Sequence, residues 1–313
     1  MILGGFGLEP APRPFLKWAG GKRQLIATIE ESLPRGFGDG GIERYIEPFI
    51  GGGALFFHVR QKYDIGEFHI SDFNPDLPNC YVAIRDDLAG LLGCLGVLAD
   101  DYLPLSHEDR GEMFYRVRDE YNESRGCLEP GSQDDGGILR AARTIFLNRT
   151  CFNGLFRVNS RGDFNVPHGR YKAPPIRDEE NLASVSMALQ GVEISCGSYE
   201  ICEPAVDGRT FVYLDPPYRP LPNTPSFTDY AQKSSFGDGD QRDLAAFYDR
   251  LDELGASLML SNSDPKNTDP EDEFFDDLYS RHNVKRVSAR RVINSDGKGR
   301  GDVSEILVTN YDC

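Results

Sequence analysis

Five short runs of this chain are apolar with little alternation: RYIEPF (44–49), EFHISD (67–72), VEISCG (192–197), FVYLDPP (211–217) and SLMLSNSD (257–264). Such runs are the signature of strands covered on both faces. Helix-like stretches, among them 54–63 and 240–254, lie between them. Strands alternating with helices predict an α/β fold with a mostly parallel sheet. Two later runs, VKRVSARRVI (284–293) and EILVTNY (305–311), stand close together, so the final pair is expected to be antiparallel.

Residues 76–175 break this pattern. They read as helices over 80–101, 107–124 and 136–149, followed by FRVNSRGDFNVP, in which NSRG marks a turn between two alternating runs. The expectation is a helical insertion that ends in a basic hairpin, carried by a domain formed from 1–75 and 176–313. A chain of 313 residues has room for both. The glycine-rich stretches 36–41 and 124–137 read as mobile loops.

The net charge of −16 repels nucleic acid on average, but its distribution is uneven. Residues 11–23, 140–172 and 281–301 together hold 18 basic and 2 acidic residues, a net of +16, while the remainder carries −32. Three basic islands in an acidic chain are read either as solvated stretches or as pieces of one polyanion-binding surface. Seven cysteines without a C-x-x-C pair point to a reduced intracellular protein. The longest apolar run, residues 88–99, is too short to span a bilayer, and no export signal is evident, so the expected location is the cytoplasm with no membrane partner. The five histidines (58, 69, 107, 168 and 282) have no ligand-like spacing with Cys or Glu, so no metal is expected.

Three motifs carry chemistry. In YIEPFIGGGALFF (45–57) a strand runs into three glycines and then a helix, and this turn at the carboxyl edge of a parallel sheet is where α/β folds bind nucleotides. Gly51, Gly52 and Gly53 lack the G-x-G-x-x-G spacing, and WAGGKRQL (18–25) is not a phosphate loop, so a nucleoside without a pyrophosphate fits better. In ISDFNPDL (70–77), Asp72 ends the next strand, where a carboxylate accepts from ribose hydroxyls. In DPPY (215–218), the prolines lock φ and donate no N–H, leaving rigid carbonyls beside the Asp215 carboxylate. Two acceptors aimed at one point suit an amino group, and Tyr218 offers a ring face. An adenine or cytosine removed from its duplex is such a target.

FLKWAGGK (15–22), EPFIGGG (47–53), ISDFNPDL, LNRTCFNGLFRVNSRGDFNVPHGRYK (147–172), DPPYRPL with FTDY (215–230) and EILVTNY occur in the order seen in Dam-type (D12 class) DNA adenine-N6 methyltransferases, which this chain resembles from about residue 14 to residue 311. The resemblance implies a Rossmann-like methyltransferase fold and S-adenosylmethionine as cofactor. It also implies duplex DNA as substrate, often at GATC. No obligatory protein partner is evident in the sequence, and a monomer is expected. By position it implies cofactor contacts at Trp18, Lys22, Gly51–Gly53, Asp72 and Asp215, and a catalytic motif at Asp215, Pro216, Pro217 and Tyr218. It implies DNA contacts at Lys17, Arg149, Phe152, Asn153 and Arg157, and target recognition by residues 76–175. Phe152 stands where some GATC relatives have Tyr.

The expected reaction is methylation of a flipped adenine at N6. Methylation of cytosine N4, and a nucleotide-fold protein that binds without catalysis, are the alternatives. Restriction–modification and solitary regulatory roles are both open. The excess of Asp and Glu (50) over Lys and Arg (34), with 26 Arg to 8 Lys, suggests adaptation to concentrated salt.

Overall fold

The structure is a computed structural model, and it describes residues 10–18, 20, 22–124, 135–219, 236–290 and 302–312. Among them are seven strands: β1 (Arg44–Glu47), β2 (Glu67–Asp72), β3 (Val192–Cys196), β4 (Thr210–Leu214), β5 (Ser257–Ser263), β6 (Asn283–Arg290) and β7 (Asp302–Thr309). They form one sheet in the order β3-β2-β1-β4-β5-β7-β6. β1 pairs in parallel with β2 and β4, and β4 with β5. β7 runs antiparallel to both β5 and β6. The expected α/β architecture, mostly parallel with an antiparallel C-terminal pair, is the one observed.

Nine α-helices are described: α1 (Ile26–Glu31), α2 (Ala54–Lys62), α3 (Asp76–Asp86), α4 (Leu88–Tyr102), α5 (His107–Glu123), α6 (Asp135–Thr150), α7 (Glu179–Ala188), α8 (Asp238–Glu253) and α9 (Phe274–Leu278). The chain divides into two compact units. One comprises Met1–Gly21, Gly51–Lys62 and Asn74–Cys196, the other Lys22–Ile50, Tyr63–Phe73 and Gly197–Cys313.

In the second unit the sheet is the core. Phe211, Val212, Tyr213 and Leu214 of β4 are fully buried, as an unalternating run demands. α8 lays Leu244, Phe247, Tyr248 and Leu251 on Val212, Leu214, Leu258, Leu260, Ile306 and Val308. These helix residues recur at helical spacing, and Gln241 continues their stripe one turn toward the helix start. The stretch 36–41, expected to be mobile, is pinned by the buried Phe37, whose ring meets Tyr63 at 4.9 Å and Phe211 at 5.1 Å.

The first unit is mainly helical. α6 packs against α3, α4 and α5, burying Ala141, Ala142, Ile145 and Phe146. The helix expected over 80–101 is two helices. Asp87 leaves helical geometry at φ −142° and ψ 65°, and its side chain accepts from Gly90 N at 2.9 Å, capping α4. The expected hairpin is a tight turn with little ladder. Gly162 N donates to Asn159 O at 2.8 Å, and Val158 and Phe164 form one antiparallel bridge. Residues 125–134 of the second expected loop lie outside the described residues.

Candidate active site

The register of β4 against β5 builds the centre of the site. Leu214 faces Leu260, so the next residues, Asp215 and Ser261, are neighbours at the strands' carboxyl ends. Ser261 Oγ donates to Asp215 Oδ1 at 3.0 Å, and Tyr213 OH lies 2.9 Å from Ser261 Oγ. Lys22, in the 3-10 turn Lys22–Gln24, places Nζ 2.7 Å from the same Oδ1 while only 5% exposed. The ammonium also lies 4.4 Å from the Tyr218 ring centroid and 4.0 Å from Glu305 Oε2, which accepts from the Tyr218 hydroxyl.

Charge alternates through this group: carboxylate, ammonium, carboxylate. A buried ammonium needs such partners, since an unpaired one is costly. Burial pushes the Asp215 carboxyl above the usual aspartate range, while Lys22 and Ser261 pull it back. Burial, with Asp215 and Glu305 beside it, holds the Tyr218 phenol well above the tyrosine range, so it remains a donor. Tyr213 is raised in the same way, chiefly by burial and then by Asp215.

The turn after Asp215 is held by buried amides. Gln241 Nε2 donates to the Pro217 carbonyl at 3.1 Å, and Asn262 Nδ2 donates to Gln241 Oε1 at 3.1 Å. Asn262 Oδ1 accepts from Arg219 N at 3.3 Å. The Arg219 guanidinium is anchored by Asp238 and Asp272, each at 2.7 Å, and lies over the Phe274 ring. Asp72, at the end of β2, accepts at its carbonyl from Gly197 N at 3.1 Å, while Ile50 N donates to Ser71 O at 3.0 Å. These bonds fix the carboxyl ends of β1 and β2. Glu47 at the end of β1 is buried and accepts from Tyr45 OH at 2.6 Å.

The other expected residues lie in the first unit. Trp18 packs on the glycine turn. A Cβ on Gly51, whose φ is +47°, would sit 2.8 Å from Trp18 Cδ1, and one on Gly53 would sit 2.6 Å from Tyr81 OH. A Cβ on Gly52 would sit 3.2 Å from Trp18 Cβ. Tyr81 OH donates to Gly51 O at 3.2 Å. A side chain on this turn would displace the indole or the phenol, as a backbone built for close approach requires. Trp18 also meets the Phe156 ring at 5.2 Å.

One buried side chain, Asn148, ties Lys17 to Gly154, the residue that ends the Phe152–Gly154 turn. It accepts from Lys17 N at 2.8 Å and donates to Lys17 O at 2.8 Å and Gly154 O at 3.0 Å. Asn153, at φ 56°, is the one non-glycine with positive φ among the described residues, and Gly154 follows at φ 64°. This knuckle leaves Phe152 52% exposed, while its N–H donates to Pro167 O at 2.8 Å. Lys17 Nζ lies 4.4 Å from the Tyr171 ring centroid. Arg157 is exposed, and its Nε donates to Asn165 Oδ1 at 2.7 Å. Arg149 is half-buried, and burial lowers its pKa against the pull of Asp178.

The model of the D12 class N6 adenine-specific DNA methyltransferases matches residues 18–293. The chain belongs to that family. The family decides between the alternatives left open by the sequence: an enzyme rather than a binder, and adenine N6 rather than cytosine N4. The chain is 49% identical over 300 residues to the Type II methyltransferase M.MjaIII of Methanocaldococcus jannaschii, covering 96% of this chain and 99% of that protein. It is 36% identical over 301 residues to the Type II methyltransferase M1.LlaDCHI of Lactococcus lactis subsp. cremoris, covering 96% and 95%. It is 33% identical over 301 residues to the DNA adenine methylase of Escherichia coli K12, covering 94% of each chain. As a D12 methyltransferase it takes its methyl group from S-adenosylmethionine and acts on DNA. Among the described residues no helix is long and apolar enough to cross a membrane.

Ser261 and Asn262 stand in the strand run SLMLSNSD, Gln241 in the helix-like stretch 240–254 and Glu305 in EILVTNY, but sequence alone assigns none of the four a role in the site.

Proposed function

We propose that the enzyme methylates an adenine flipped out of duplex DNA, with Asp215 and the Pro216 carbonyl accepting hydrogen bonds from N6 and Tyr218 stacking on the base. One observation carries this reading. Lys22 and Ser261 both hold Oδ1 of Asp215, and among the described residues no donor reaches Oδ2. That oxygen is free to accept from an incoming amine. Accepting from N6 draws its lone pair away from the ring and toward the methyl donor. S-adenosylmethionine, when bound, supplies an activated methyl on sulfur, so the chain's share is chiefly orientation, worth about 7–11 kcal/mol when complete.

Trp18, Gly51–Gly53, Asp72, Lys22 and Asp215 are assigned to the cofactor. The close-packed glycine turn under Trp18 suits the approach of a small nucleoside-like group, and Asp72 ends its strand where a ribose is held. Lys17, Arg149, Phe152, Asn153 and Arg157 are assigned to DNA, within a target-recognition segment spanning 76–175. Phe152 suits the place left by the flipped base, because its ring is exposed on a fixed backbone. The recognition sequence is proposed to be GATC, on the resemblance of the motifs to Dam-type methyltransferases, many of which act there. The Type II relatives favour a role in restriction–modification over a solitary one. A monomer acting in the cytoplasm completes the proposal.

The test uses duplex DNA with 2-aminopurine at the target adenine of GATC. Binding should raise its fluorescence several-fold, and Phe152→Ala should diminish that rise. Fluorescence unchanged on saturation of the GATC duplex would reject flipping at that site.

A further inference from the structure

We propose that Ser261, Gln241 and Asn262 are positioning residues that select which acceptors of the 215–218 turn remain for the target amine. The inference rests on reading Asp215 as an acceptor for N6. The turn presents more oxygens than the reaction needs: two on Asp215 and the carbonyls of Pro216 and Pro217. An amine with two N–H donors meeting four acceptors would bind in several poses. The structure removes two of the four.

Oδ1 is removed by the chain from Tyr213 through Ser261, together with Lys22. The direction of this chain follows from chemistry. An ionised carboxylate accepts only, so the Ser261 hydroxyl spends its one proton on Asp215. Ser261 Oγ must then accept from Tyr213, whose phenol keeps its proton because burial raises it far above neutrality. Ser261 is fully buried, so this hydroxyl has no water to turn toward.

The Pro217 carbonyl is removed by Gln241. Gln241 and Asn262 are both fully buried, and their amides bond to one another. Each amide has a set orientation: Asn262 uses its oxygen on Arg219 N and its nitrogen on Gln241, which leaves the Gln241 nitrogen for Pro217. Two polar side chains in an otherwise apolar stripe between α8 and β5 cost stability unless satisfied. Here they are satisfied by one another, by Ser263 N at 2.9 Å from Asn262 Oδ1, and by the turn through Arg219 N and the Pro217 carbonyl. Among the described residues, Asp215 Oδ2 and the Pro216 carbonyl are left without a donor, and these are the two acceptors the reaction calls for.

The two halves of the device have different signatures. Ser261 donates to Asp215 and holds its pKa down, so Ser261→Ala should lower kcat about 10–100-fold and move the acid limb of the kcat profile to higher pH. Gln241 touches Pro217 and not Asp215. Gln241→Leu should lower kcat over the same range with the acid limb unmoved, because the freed carbonyl competes for the amine. KM for DNA and for S-adenosylmethionine should stay near wild type in both variants.

The experiment is steady-state kinetics across pH for the full-length wild type, Ser261→Ala, Gln241→Leu and Asp215→Ala, with thermal melting of each. If Asp215→Ala is inactive while both other variants turn over as wild type, the positioning role is rejected and the reading of Asp215 stands. If Asp215→Ala itself turns over normally, the reading of Asp215 is rejected. A loss of kcat in Ser261→Ala without movement of the acid limb, or losses that track a fall in melting temperature, would reduce these residues to structural support and overturn the proposal.

Discussion

Asp215 carries its charge where burial opposes it, and its carboxyl is therefore raised above the ordinary aspartate value of about 3.9. The ionised form is the better acceptor, and it is lost as pH falls through the folded-state pKa. Because that pKa is raised, kcat should begin to decline at a pH where an ordinary aspartate is still ionised. A pH–kcat profile at saturating substrates checks this, and an acid limb at or below the ordinary value would contradict it. Arg157 makes a second prediction. Asn165 accepts from Arg157 Nε at its side chain, 2.7 Å, and from Nη2 at its carbonyl, 3.4 Å, which holds the exposed guanidinium in place. An arginine reading guanine contributes about 1–3 kcal/mol of discrimination. Arg157→Ala should relax preference at one base pair, and Asn165→Ala should do so more weakly. An equal loss at every sequence would mean that Arg157 meets only phosphate.

At the scale of elements, the first unit hangs on a buried ion pair. Arg140 of α6 donates to Asp76 of α3 at 2.6 Å, and Tyr121 of α5 donates to the same carboxylate. Three helices thus share one charge cluster, with Arg140 and Asp76 both about 95% buried. Arg140→Met strands a carboxylate, which should destabilise the protein by about 3–5 kcal/mol in denaturant titration. Asp87→Ala should cost about 1 kcal/mol by loss of the α4 cap. The strands were legible in sequence because parallel strands buried on both faces leave an unbroken apolar run. The break at Asp87 was hidden because the charged run Arg85–Asp87 between two apolar stretches reads equally as the solvated face of one continuous helix. α7 (Glu179–Ala188) was missed because its polar first turn, EEN, does not announce an apolar stripe. Of the site, Asp215 and Lys22 were readable from motifs. Ser261, Gln241 and Asn262 were not, because their placement depends on the β4–β5 register and on the face of α8, neither of which local sequence encodes.

For the whole molecule the question is charge. The basic islands are partly spent internally. Arg140 pairs with Asp76, Arg143 with Glu120, and Arg286 with Asp264 and Asp276. Residues 291–301 of the third island lie outside the described residues. Arg157, Arg161, Arg170 and Lys172 are exposed in the second island. A protein of net −16 with so few lysines fits concentrated salt, where the Debye length shrinks to ~3 Å at 1 M and self-repulsion is screened. Melting temperature should rise between ~0.1 M and ~3 M potassium chloride, and DNA affinity should fall less steeply than for a basic protein with equal contacts. Greatest stability at the lowest salt would reject the adaptation. The measurement that bears most directly on the whole account is methyl transfer itself. Duplex DNA is incubated with methyl-labelled S-adenosylmethionine and either wild type or Asp215→Ala, then digested to nucleosides. The account predicts label in N6-methyladenine with the wild type and none with the variant, while the variant still binds DNA. Substantial transfer by Asp215→Ala, or label in cytosine, would contradict it.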